Sequence, residues 1–380
     1  MLSEIRQLAG KIEGSEGVAE TLAAADAKVW VYNPSIDYDP EMFERNLALA
    51  SFSQVPQIVG KRPGQLSFGL ELKGSGVAAT APEWAKYLQG CGVGINALKS
   101  INIGAVTGGP FKHGETITGG TSAGKGRVII NTANGATAIL YVVISGSLQS
   151  GETITGGTSG ATATTSSSST TVGNVFEPIS SAVPALTLSA NVDGFKRMLK
   201  GSRGKVKFNF KTGEPAVLEF NYSGVEAGIA DAALFTGIPS EPTIPPALIN
   251  STFLIDAYAA KIQTLDVSLD NTISPSDDPS SDRGLKSFQI TKRKTVGSFD
   301  PELVATTAHD FFSKWFNATS MVLDLIIGAS AGNKFRFYAP LVQYTKVGEE
   351  NRGGIAVAKC SFALNGTQAI GNDEWALLCQ

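Results

Sequence analysis

Apolar residues at every second position constrain this sequence more than any other feature. Leu66, Phe68, Leu70 and Leu72 alternate with Ser67, Gly69, Glu71 and Lys73. Val206, Phe208 and Phe210 leave Lys205, Lys207 and Lys211 on the opposite face. Met321, Leu323, Leu325 and Ile327 alternate around Asp324. Successive side chains of a strand point to opposite faces, so each run is a half-buried strand. Leu186–Leu188, Leu218–Tyr222, Lys334–Phe337 and Ala356–Leu364 read the same way, and Lys28–Tyr32 is a further candidate. With 42 glycines and only 17% charged residues in 380, the composition suits a mainly β chain with many turns.

Helix signals are few. Pro82 opens a short helix bearing Trp84, Tyr87 and Leu88 that ends at Gly90-Cys91-Gly92. Asp300 as N-cap, Pro301 and Glu302 predict a second, with Val304, Ala308, Phe311, Phe312 and Trp315 on one face. Leu2, Ile5, Leu8 and Ile12 predict a third, an amphipathic arm that docks on a neighbouring subunit or lies on its own domain.

Four short matches recur in one order: Ser67-Phe68 with Ser287-Phe288, Pro82-Glu83 with Pro301-Glu302, Lys207–Phe210 with Lys334–Phe337, and Phe220–Gly224 with Phe362–Gly366. They predict an internal duplication with a large insertion in the first copy. The expected division is a first domain at 1–93 and 184–240 with an N-terminal arm at 1–25, an inserted all-β module at 94–183, and a second domain at 247–380. Four prolines mark 238–246 as a linker, and the polar stretch 274–283 is an exposed loop.

The insertion carries its own repeat. GETITGGTS stands at 114–122 and again at 151–159, with an apolar strand, Ala138–Ile144, between the copies. The Ser/Thr tract 164–171 reads as a flexible exit.

Chemistry is hard to find. Gly119–Gly126 (GGTSAGKG) approaches a phosphate-binding loop, but Gly126 stands where Ser or Thr would hold magnesium, and the second copy has Thr162 in place of Lys125. His113 and His309 are the only histidines, and Cys91, Cys360 and Cys379 lack metal spacing and read as reduced thiols. The acid pairs Asp277-Asp278 and Glu349-Glu350 lie among turn formers and read as solvated. An enzyme, a metal site and a bound cofactor are therefore not expected. A net charge of −3 gives no footprint for tight nucleic-acid binding. No secretion signal is evident, and the apolar run 138–144 is too short to span a bilayer.

The strings EGVAETLAAADAKVWVYNP, GKRPGQLSFGLELKGSG and APEWAKYLQGCGV resemble the tail tube proteins of long-tailed bacteriophages, as do RGLKSFQITKRKTVGSFDPE and GNKFRFYAPLVQY. GETITGGTSGAT looks like a decoration module of phage structural proteins. The resemblance implies two tandem tail-tube-like β-barrel or sandwich domains, each with a flanking helix, in a virion protein assembled in the host cytoplasm. It implies rings of this chain stacked with other tail proteins into a conduit for double-stranded DNA, which passes without specific binding. A basic bore would hold phosphates, so Lys205, Lys207 and Lys211 are expected to meet acidic groups of another subunit. With Leu2, Ile5, Leu8 and Ile12 they are the interface candidates. Two copies per chain favour a trimeric ring over a hexameric one. A tail-tip or baseplate ring protein of the same fold, and a secreted adhesin built on Gly/Thr repeats, are the competing readings.

Overall fold

The computed structural model describes every residue except 1, 3, 133–134, 239–240 and 368–370. The chain opens with β1 (Arg6–Ile12), a strand and not the expected helix. Its middle is buried on both faces: Leu8 enters the main core, while Ala9 packs with Leu22 and Ala27 in a satellite cluster. Gly10 lies so close to Tyr87 that a Cβ there would come within 2.6 Å of its ring. Two-sided burial in a sheet overrides the helical spacing. A 3₁₀ turn (Ala24–Ala27) follows, then β2 (Tyr32–Tyr38), which starts where the expected 28–32 strand would end. Two-residue strands β3 (Met42–Phe43) and β4 (Ile58–Val59) pair at the base of a long arm.

β5 (Pro63–Glu71) forms as its alternation predicts, with Leu66, Phe68 and Leu70 buried. α1 (Ala85–Gly90) follows. It is held to the sheet by the Trp84 indole N–H, which donates to Lys73 O at 2.7 Å, and by the Tyr222 hydroxyl, which donates to Tyr87 O. β6 (Val93–Asn102) leads into a module of β7 (Thr116–Gly119), β8 (Lys125–Val128), β9 (Ala138–Ser145), β10 (Thr153–Gly156) and β11 (Thr162–Thr164). β12 (Thr170–Pro178) returns beside β6. β13 (Leu186–Val192) pairs with β1 in unbroken register. The long strands β14 (Phe195–Lys211) and β15 (Val217–Asp231) form a hairpin.

Past the linker, where only 239–240 fall outside the described residues and 241–246 are irregular, come β16 (Thr252–Ile255), β17 (Tyr258–Ala259) and β18 (Thr264–Leu269). β19 (Thr272–Asp277) and β20 (Leu285–Lys292) pair as a hairpin. The expected loop at 274–283 is thus strand over 274–277 and irregular only from 278. β21 (Thr295–Phe299), α2 (Phe311–Phe316), β22 (Met321–Ile327), β23 (Phe335–Arg352), β24 (Ile355–Leu364) and β25 (Ala376–Cys379) complete the chain.

The N-cap of α2 is Asp310, not Asp300: its carboxylate accepts from Ser313 N at 2.9 Å. Asp300 instead accepts from Gln263 N and Thr264 N, at 2.9 and 2.7 Å, and from Arg352. The Asp-Pro-Glu pattern fits a helix start, but the backbone amides leading into β18 claim the carboxylate first. Of the expected helical face, Phe311, Phe312 and Trp315 are helical, whereas Val304 and Ala308 precede the helix.

Eight strands run side by side in the order β2-β5-β15-β14-β18-β21-β24-β23, every neighbour antiparallel. One face is apolar. A single row of core-facing residues crosses it: Leu70, Leu218, Phe208, Val267, Gly297, Phe362 and Tyr344 stand opposite one another in turn. Phe68 stacks on Phe220 at 5.0 Å and meets Tyr87 of α1 edge-on at 5.1 Å. Each such ring contributes roughly 2–3 kcal/mol by leaving water. β14 reaches into two layers: its first part pairs with β13 and its second with β18. The change happens at a bulge between Lys200 and Arg203. There Gly201 has φ +57°, and a Cβ would lie 2.7 Å from Ser287 Cα, so glycine is required on both counts. β23 does the same, pairing first with β22 and then with β24.

The strands β2, β5, β15, β14 and then β18, β21, β24, β23 succeed each other in the same connection order. α1 and α2 each follow the second strand of their group. Of the four matches read from sequence, Phe220 and Phe362 occupy like positions. Ser287-Phe288 lies in β20, whereas β21 stands where β5 does. Lys334 and Phe335 sit at the start of β23, whereas Lys207 and Phe208 sit near the end of β14.

The module has a separate core, including Ile101, Phe111, Ile117, Ile139, Tyr141 and Ile154. Its repeat is explained by a reciprocal exchange. The Glu115 carboxylate accepts from Thr158 N, Ser159 N and Ser159 Oγ of the second copy. The Glu152 carboxylate accepts from Thr121 N, Ser122 N and Ser122 Oγ of the first. A Cβ at Gly119 or Gly156 would collide with these carboxylates, at 2.5 and 2.8 Å. Glutamate, glycine and Thr-Ser therefore recur together because each copy completes the other. The apolar strand β9 is buried on alternate residues only, and Val143 and Ile144 are exposed. The Ser/Thr tract is ordered, not a flexible exit: Thr165 is buried, Ser167 Oγ accepts from Asn102 N at 3.1 Å, and the Tyr141 hydroxyl donates to Ser169 Oγ at 2.6 Å.

β6 and β12 belong to the body as much as to the module. β12 pairs with β25, and Phe176 packs on Trp84 with ring centroids 5.2 Å apart. At their far end Ser166 N donates to Asn102 O at 2.8 Å, which closes the hairpin below the module. Replacing 103–165 by an Asn-Gly turn should therefore leave a cooperatively folded chain, with a urea midpoint lowered only by uncovering Tyr338, Ala376 and Leu378, which pack against Ile129 and Ile130 of the module. Phe176→Ala should cost about 3–5 kcal/mol. Equal losses in the two variants would contradict this division.

His309 is buried, stacked on Tyr258 and beside Phe311. Desolvation, with the Lys314 charge adding to it, pushes its pKa down to about 4. The unfolded chain binds a proton near pH 6.5 and the folded chain does not, so this stabilisation is complete above 6.5 and lost as pH falls towards 4. It amounts to on the order of 2 kcal/mol. Urea midpoints at pH 7.5 and 4.5 should differ less in His309→Gln than in the parent; an unchanged difference would refute the assignment.

Candidate functional site

The exposed face of the eight-stranded sheet is polar in consecutive rows. Ser35, Ser67, Asn221 and Lys205 form one row. Gly69, Glu219, Lys207 and Ser268 form the next, and Asn209, Asp266, Ser298, Ser361 and Lys346 a third. These are the alternate residues of the strands whose other face makes the core. A depression of about 550 Å³ lies on this face between Tyr32, Lys205, Lys207, Glu219 and Asp270.

The three lysines singled out from sequence all lie here or at its rim. Each finds an acid within its own chain: Lys205 faces Asp270 at 3.7 Å, Lys207 faces Asp266 at 3.3 Å, and Lys211 pairs with Glu214. Asp266 in β18, Asp270 just after it and Glu214 in the β14–β15 turn thus meet these lysines within the chain, where acids of another subunit were expected. Alternation in β14 revealed the lysines, but the pairing of β14 with β18, which brings the acids, has no sequence signal.

The N-terminal candidates divide. Leu8 is 1% exposed and belongs to the core, so it is not available to a partner. Leu2, Ile5 and Ile12 are exposed, and Leu2 N donates to Asp193 at 2.6 Å, which ties the arm to its own domain.

Two edges of the long sheet are open. Among the described residues, none pairs with the outer side of β2. Among the described residues, β23 pairs only with β24 from Gln343 to Arg352. Edge strands invite pairing with another chain. Pro34, which has no N–H, and Lys346, exposed and without an ion pair among the described residues, are residues that temper such edges. Sequence reasoning passed over both, although a proline within an alternating run is an edge signal. A third exposed feature is the arm between β2 and β5. Met42, Phe43, Leu47, Leu49, Phe52, Ile58 and Val59 all stand open to solvent on it.

The features resembling chemistry are structural. The turn at 119–124 leads to strand β8, and its amides at Thr121 and Ser122 are occupied by Glu152, leaving no cradle for a phosphate. His113 packs on Tyr338, and its Nδ1 bonds Ile129 O. Cys91, Cys360 and Cys379 are free and buried, and burial pushes each thiol up to about 12. Asp277 pairs with Lys61, and Asp278 accepts from Ser280. Among the described residues no group of His, Cys, Asp and Glu could hold a metal ion, and no helix is long and apolar enough to cross a membrane.

A search of curated proteins found no match. A family model described as phage tail tube protein matches residues 6–366, which include both groups of strands, both open edges and the module. This mainly β chain belongs to the phage tail tube protein family, a structural component of the bacteriophage virion tail.

Proposed function

We propose that this chain is the subunit of a hollow tail tube for double-stranded DNA, that its rings stack, and that three copies close each ring. The supporting observation is the β14–β18 junction. One chain joins two four-stranded groups edge to edge there, and leaves open the corresponding two edges, β2 and the end of β23. In this reading the chain is a tandem duplication, with a first domain at 1–93 and 184–240, a second at 247–380, and the module between.

Joining β23 of one copy to β2 of the next, in the register by which β14 meets β18, sets Tyr344 opposite Ile36 and Lys346 opposite Ser35. Val347 then meets Pro34, allowing for the turn in β2 where Asn33 has φ +45°. Ile36, Tyr344 and Val347 are buried-face residues, so the apolar row continues from copy to copy. Lys346 comes diagonally to Asp37, within reach of a long side chain. Neither has an ion-pair partner among the described residues. Eight strands per chain make about 24 in a trimer, enough to enclose a bore wide enough for duplex DNA. The polar face then lines the bore. Its lysines are matched by acids, so DNA slides past without being held.

The pairing is testable by cross-linking. The native thiols are buried. Ser35→Cys with Lys346→Cys places two cysteines opposite each other at a separation a disulfide spans. Oxidised assemblies should give a non-reducing ladder ending at the trimer. Ser35→Cys with Val347→Cys, whose side chains point to opposite faces, should give none. A ladder reaching the hexamer would refute the trimer, and tubes without any ladder would refute the edge pairing.

A further inference from the structure

The apolar arm between β2 and β5 is secured only at its base. Gly60 N donates to Glu41 O at 2.8 Å, Glu41 N donates to Lys61 O at 2.9 Å, and the Phe43 ring lies over Gly60, where a Cβ would approach it within 2.3 Å. Beyond that, Phe52 is fully exposed, and Met42, Leu47, Leu49, Ile58 and Val59 are about half exposed. So many apolar side chains on one protruding segment mark a contact surface.

The second group of strands has an arm at the same place in its connection order, the β19–β20 hairpin between β18 and β21. That hairpin does not project. It lies against the group across the junction: Leu285 and Phe288 are buried with Val225 of β15, and Arg203 of β14 donates to Phe288 O at 2.5 Å. Arg283 pairs with Glu226, and Ile290 reaches the end of α1, where a Cβ on Gly92 would lie 3.3 Å from it. The hairpin after β18 thus grips the copy whose β14 receives β18.

We propose that the 41–60 arm grips a second copy of this chain in the same way. Its site is the surface formed by the end of β24 and the C-terminus of α2. This rests on the ring reading above: with β2 joined to the neighbour's β23, the arm falls over that neighbour's β24 and α2. An unexplained apolar residue waits there, because Phe316, the last residue of α2, is 74% exposed. The two exposed apolar surfaces cover each other, continuous with the strand junction. Each junction then has a β-ladder and a clasp on the same neighbour.

A photo-crosslinking phenylalanine analogue placed at Val59, in the full chain carrying Ser35→Cys and Lys346→Cys, tests this. In assembled protein, mass spectrometry should find the adduct on the peptide around Phe316 of another copy, and Phe316→Asp should abolish that adduct and raise the concentration needed for assembly at least tenfold. Monomer unfolding of Phe316→Asp should be unchanged, since the side chain is exposed. An adduct within the same chain, or on the module or N-terminal strand of another copy, would overturn the clasp while the disulfide ladder still reports ring closure. Loss of the ladder in otherwise parent-like assemblies would instead overturn the ring reading on which the clasp stands.

Discussion

From Val206 to Lys211, β14 would be an open edge if β18 did not pair with it. Backbone N–H and C=O groups on such an edge have to be satisfied by water or by another strand. Here the second group of strands satisfies them, and the consequences run through the molecule. Val206, Phe208 and Phe210 come into line with Leu269, Val267 and Leu265, so one apolar surface extends under both groups. The polar residues between them come into line as well, which brings Asp266 and Asp270 to Lys207 and Lys205. A one-residue slip would invert both faces at once.

That continuity requires strands long enough to serve two layers. β14 and β23 each pair with one neighbour near their start and with another near their end, and each bends at a bulge. Gly201 is where the turn in β14 is tightest, and the β20 backbone fills the space that a side chain would need. The helices close the opposite side of the core. α1 and α2 are six residues each, too short to be stable alone, and hold their shape through packing. Tyr87 and Phe311 are their anchors.

Strands with one wet face were legible because alternation records that environment directly: β5, β14, β22 and β24 are examples. β1 was not, because burial on both faces erases the period of two and leaves a spacing that imitates a helix. Asp300 imitated a helix cap because a carboxylate followed by Pro and Glu serves equally well at any cluster of free amides. The GETITGGTS repeat was visible, but its meaning lay in the pairing of β7 with β10, which sets each glutamate against the other copy's turn. The open edges left the faintest trace. Nothing local says that β2 has one neighbour instead of two; Pro34 and the unpaired Lys346 hint at it only once the sheet order is known.

The charges on the polar face gain a role only in the proposed assembly. Lys205, Lys207 and their acids are exposed or partly so, and pairs of that kind add little to stability. Serine, glycine and asparagine at the same positions would keep the face soluble without them. Their effect is on the field: a lysine with an acid within 4 Å presents little net charge a Debye length away. Under the proposed assembly this face surrounds a polyanion. Unpaired lysines would bind its phosphates and unpaired acids would repel it, whereas alternating pairs fixed by the β14–β18 register do neither. The junction that gives the sheet its continuous core therefore also sets the electrostatics of the surface DNA would pass.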